Sequence, residues 1–81
     1  MELLRLAIVD MDERNVDNAV RYFSSCSDIE VVIRETDAQA ALEEMKRTHV
    51  DVLLLDPVLR GIDGITLMRE VTRMKDPPVI I

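Results

Sequence analysis

The chain has 81 residues, enough for one domain, with 48% apolar, 32% charged and 2% aromatic residues, the composition of a globular protein. Sixteen acids against ten bases give a net charge of −6, and this acidity, with almost no aromatic platforms for bases, argues against direct nucleic-acid binding by this segment. A lone Cys26 cannot close an internal disulfide, no apolar run is long enough for a bilayer, and Met1 leads into no signal peptide, so a cytoplasmic protein without a membrane role is expected.

Residues 3–9 (LLRLAIV) form a mostly apolar run that stops at Asp10 and reads as a first strand. From Arg14 to Ser25, the apolar residues Val16, Ala19, Val20 and Phe23 recur at helical spacing. Residues 24–28 (SSCSD) are loop chemistry, and the β-branched run 29–33 (IEVVI) is a second strand. Thr36 followed by Gln39 forms a capping-box signature, with Asp37 as the alternative cap. The helix behind it presents Ala38, Ala41, Leu42 and Met45, and Lys46, Arg47 and His49 suit its C-terminal end. Residues 50–55 (VDVLLL) are almost continuously apolar, as in a strand buried on both faces, and end at Asp56. Residues 57–64 (PVLRGIDG) are turn-rich. Residues 65–74 carry Leu67, Met68, Val71 and Met74 on a helical face, and Pro77 and Pro78 break that helix before a fourth apolar strand at 79–81. Met45, Met68 and Met74 sit at core spacings.

This β-α-β-α-β-α-β order predicts an α/β fold with a parallel sheet and helices on both faces. In such sheets ligands bind beyond the carboxyl ends of the strands. Strand one runs into Asp10, Met11, Asp12 and Glu13, and strand three runs into Asp56. As neighbouring strands they would bring acids together at one mouth, where a hard divalent cation offsets the repulsion; Mg²⁺ bound by one or two carboxylates and a phosphate suits phosphoryl transfer. Glu13 reads better as a helix-end or solvated acid. Asp10 and Asp12, taken alone, fit a cap or a site equally well. His49 reads as a surface or capping residue. The absence of a glycine-rich loop after strand one argues against a nucleotide-binding domain, and no nucleophile triad can be assembled.

The segment DVLLLDPVLRGIDG resembles the signature of response-regulator receiver domains: an apolar strand, an acceptor aspartate, then an Asp-Gly pair seven and eight residues later, here Asp56, Asp63 and Gly64. RLAIVDMDE resembles the first receiver strand with its acidic pair, and the likeness runs along the whole chain. The Met-Glu start, the DVLLLD strand and the Asp-Gly turn are most similar to receivers of sporulation transcription regulators. The resemblance implies a flavodoxin-like, doubly wound sheet of order 2-1-3-4. It makes Asp56 the phosphoacceptor, with Mg²⁺ held by Asp10, Asp12, Asp56 and the Val58 carbonyl. It implies a histidine kinase or phosphotransfer protein as partner, a two-component or phosphorelay role without enzymatic activity of its own, and DNA contact only through a separate output domain.

Three departures from the family pattern stand out. Met11 separates the usually adjacent acids, which reads as a one-residue loop insertion that lets Asp12 act as the second acid. Arg60 occupies a position usually held by Pro, with Pro57 stiffening the loop instead. The chain stops inside strand four, before the Ser or Thr and the Lys that complete a receiver switch. Residues 1–81 are therefore expected to be the N-terminal portion of a receiver, C-terminally incomplete, whose bare fourth strand favours a homodimer. The rival expectation is a degenerate receiver, never phosphorylated, that serves as an interaction or dimerisation module.

Overall fold

The computed structural model describes residues 2–56, 58 and 64–81. Its elements follow the expected alternation: β1 (Leu4–Val9), α1 (Glu13–Ser24), β2 (Ile29–Glu35), α2 (Ala38–Met45), β3 (Val52–Leu55), α3 (Gly64–Thr72) and β4 (Val79–Ile80). The four strands form one parallel sheet of order β2-β1-β3-β4, the order that the resemblance to receiver domains implies. β1 lies inside the sheet and is covered on both faces, so Leu6, Ala7, Ile8 and Val9 are all buried.

Alternation along the strands divides the apolar residues between two layers. Leu6 and Ile8 pack with Val16 of α1, joined by half-buried Ala19, Val20, Phe23, Val52 and Leu54. On the opposite face, Ala7, Val9 and Leu53 meet Ala38, Ala41, Leu42 and Met45 of α2 and Leu67 and Val71 of α3. Met74 packs against this second layer, whereas Met68 is only half-buried.

β2 departs from simple alternation. Leu6 pairs with Val31 but Ala7 pairs with Ile33, so Val32 is an extra residue in the ladder. Ile29 and Val31 face the α1 layer, while both Val32 and Ile33 face the α2 layer. Beyond the bulge, Arg34 turns toward α1 and pairs with Asp17 at 2.9 Å, and Glu35 turns toward Glu44 of α2.

Both described helix caps are aspartates. Asp12 is the N-cap of α1: its backbone is extended and its side chain accepts the Arg14 N–H. For α2 the cap is Asp37 and not Thr36, with the Asp37 carboxylate accepting the Ala40 N–H at 2.9 Å. Val50 is buried in the core but precedes β3, whose ladder starts at Val52.

Candidate functional site

The C-terminal edges of β1 and β3 lie side by side, with Val9 opposite Leu55. The Asp56 N–H donates to the Val9 carbonyl at 2.9 Å, and the Asp10 N–H donates to the Glu35 carbonyl at 3.2 Å. Each acid is thus carried by the sheet itself and not by a loose loop. Asp10 and Asp56 line one cleft of about 170 Å³ together with Asn15 and Ala19 of α1 and the ends of both strands.

The carboxylate of Asp10 is braced from two directions. Its Oδ1 accepts the Asp12 N–H at 2.9 Å, and the Asn15 Nδ2 donates to Oδ1 and Oδ2, both at 3.3 Å. Asp56 Oδ1 accepts the Val58 N–H at 3.0 Å, a local turn in which an aspartate bonds the backbone two residues on. Among the described residues no hydrogen-bond donor reaches the second oxygen of Asp56. Val58 itself is largely exposed.

Asp12 faces another way. Its Oδ1 accepts the Arg14 N–H at 2.9 Å, and the Arg14 guanidinium pairs with the same carboxylate at 3.2 Å. Hydrogen bonding to Arg14, side chain first and backbone second, holds the Asp12 carboxyl below the usual range, and the pairing raises the guanidinium in turn. Met11, between the two acids, is exposed, and Glu13 is exposed in the first turn of α1. Among the described residues no three His, Cys, Asp or Glu side chains gather as a ready metal cluster. The acids brought into one cleft are Asp10 and Asp56. Two hard carboxylates at one mouth fit a cation such as Mg²⁺, which takes one or two protein acids and fills its remaining positions with water and phosphate. Pro57, Arg60 and Asp63 lie outside the described residues; Gly64 is the buried first residue of α3.

Asn15 is the cleft residue that sequence reasoning missed. It looks like an ordinary polar position in an amphipathic helix, and only its five-residue distance from Asp10, across the turn into α1, hints at contact. His49 lies away from the cleft, before β3, and pairs with Asp51 at 2.9 Å. The Arg5 N–H bond and then the His49 contact hold the Asp51 carboxyl below its ordinary range. No helix among the described residues is long and apolar enough to cross a membrane.

Residues 6–81 match the response regulator receiver domain family. A protein-glutamate methylesterase/protein-glutamine glutaminase of Hydrogenovibrio crunogenus is 31% identical across 100% of this chain, which spans 22% of that protein. The transcriptional regulatory protein BaeR of Escherichia coli is 31% identical over 95% of the chain, which spans 31% of its length. The chain therefore covers less than a third of either of these relatives. Among solved structures, the signal receiver domain of the response regulator NarL from Mycobacterium tuberculosis superposes with a TM-score of 0.90 at 30% identity, covering 99% of this chain and 64% of that one. The CheX–CheY complex of Borrelia burgdorferi, solved with BeF₃ and Mg²⁺, shares the fold at a TM-score of 0.85 and 20% identity, over 95% of this chain and 58% of the matched one. The ordered acids at the ends of β1 and β3, the 2-1-3-4 sheet and this match over nearly the whole sequence lead to one assignment: the chain belongs to the response regulator receiver domain family.

Proposed function

We propose that this receiver accepts a phosphoryl group on Asp56 from the phosphohistidine of a kinase or phosphotransfer protein, in a cytoplasmic two-component or phosphorelay pathway. The observation that carries the reading is the shared cleft of Asp10 and Asp56 at the carboxyl edge of the sheet. The Val58 N–H donates to Asp56 Oδ1 and steadies the carboxylate in its turn. A new P–O bond forms to a carboxylate oxygen of Asp56 as the P–N bond breaks, and the departing imidazole takes up a proton. Asp10, Asp56 and the Val58 carbonyl are the groups that would hold Mg²⁺, with Asp12 adding negative charge from the helix cap. The bound cation offsets the charge that develops on the transferring phosphoryl group. The chain's own contribution is positional: two strands fix the acids, and the Val58 N–H steadies the Asp56 carboxylate. Regulation of transcription through a DNA-binding output domain is the downstream role proposed for the whole protein.

Incubation with acetyl phosphate and Mg²⁺, followed by mass spectrometry of the modified peptide, tests the assignment. Label on Asp56 that disappears in Asp56→Asn is the expected result. Label that persists in Asp56→Asn places the acceptor elsewhere, and an unlabelled wild-type chain that still associates with partner proteins supports the degenerate reading, for which Met11 between the acids is the motivating observation.

A further inference from the structure

Asn15 occupies the third position of α1, three residues after the Asp12 cap. A side chain there commonly reaches back as an acceptor for the N–H of the cap residue. In this chain the Asp12 N–H is taken by Asp10 Oδ1 instead, and Asn15 acts as a donor to both oxygens of the same carboxylate. An ionised carboxylate only accepts, so the amide must present its nitrogen to Asp10. The base of this contact is fixed, because the Asn15 N–H bonds the Asp12 carbonyl at 3.0 Å and the next residue, Val16, is buried under the sheet. A glutamate at position 15 would aim a further negative charge at Asp10; asparagine supplies the same reach with a donor and no charge.

We propose that Asn15 is a positioning residue for Asp10, holding its carboxylate toward Asp56 across the turn between β1 and α1. This inference rests on the phosphoacceptor reading above. Hydrogen-bond donors that orient a ligating carboxylate tune cation affinity without touching the cation. Asn15 sits where it can do this: it lines the cleft shared by Asp10 and Asp56. Among the described residues, loss of the amide leaves Asp10 with a single main-chain donor and free to rotate away from the mouth.

The test is calorimetric titration of Mg²⁺ into the whole protein, as wild type, Asn15→Ala and Asn15→Gln, with thermal melts alongside. Asn15→Ala is expected to weaken Mg²⁺ binding by about tenfold. With acetyl phosphate, the half-saturating Mg²⁺ concentration should rise by a similar factor, while the maximal phosphorylation rate at saturating Mg²⁺ stays within about twofold. Asn15→Gln, which keeps a donor, should recover part of the affinity. A purely structural role would lower the melting temperature without this split between affinity and maximal rate. Wild-type affinity in Asn15→Ala, or an equal loss in Asn15→Gln, overturns the positioning role. A wild-type protein that neither binds Mg²⁺ nor is labelled on Asp56 overturns the underlying reading of the site, and the inference with it.

Discussion

Glu35, the last residue of β2, faces Glu44, on α2, one acid against another. Glu44 Oε2 is buried with no hydrogen-bond partner among the described residues. Burial, the hydrogen bond and charge of Glu44, and the charge of Asp37 push the Glu35 carboxyl above its usual range. A carboxyl whose folded-state pKa is raised binds its proton more tightly in the folded chain. The stability it lends is full below the unfolded value and is lost as pH rises through the folded one. Glu35→Gln should therefore melt at a higher temperature than wild type at about pH 8, with the difference shrinking toward about pH 4. Melting curves across that range check it; a difference independent of pH would mean that the Glu35 carboxyl is not raised in the folded chain.

The Asp12 carboxylate caps α1 and pairs with Arg14, so its influence on a cation should act through charge at a distance. Asp12→Asn keeps an acceptor for the Arg14 N–H and removes only the charge. Mg²⁺ affinity should fall by about two- to threefold, the scale of a solvent-screened charge, against about tenfold or more for Asp10→Asn and Asp56→Asn. Calorimetric titration of the three variants ranks them. Equal losses would place Asp12 directly on the cation.

Leu53 is fully buried in β3, between β1 and β4 and beneath α2 and α3, in the strand that carries Asp56. Truncation to alanine removes its burial and leaves a cavity, at a cost of about 2–5 kcal/mol. Urea denaturation of Leu53→Ala should show this loss as an earlier midpoint with an unchanged slope.

The sequence made the element order legible because each strand and helix has its own apolar period and the connections are short, whereas the strand order came from the resemblance to receiver domains. Ends were less legible where polar residues continue a strand: β2 extends to Arg34 and Glu35, whose side chains address helices and not solvent alone. Thr36 and Asp37 could both cap α2, and only backbone geometry chose Asp37. Within the site, Asp10 and Asp56 were readable from strand ends, whereas the cap geometry of Asp12 and the contact of Asn15 with Asp10 depend on how the turn between β1 and α1 folds.

The extra residue in β2 sets which helix each following side chain addresses. Val-Val-Ile at 31–33 reads as featureless apolar sequence, yet Val32 shifts the phase of everything after it. Without that shift, Arg34 would point toward the acidic cap of α2, and Glu35 would point toward Asp17 on α1. The bulge thus works as a phase converter that lets one strand give a cation to one helix and an acid to the other. The bulge lies three residues before Glu35, whose carbonyl accepts the Asp10 N–H. Adding or deleting a residue in this edge strand would consequently be felt at the acidic mouth, several residues from where the length changed.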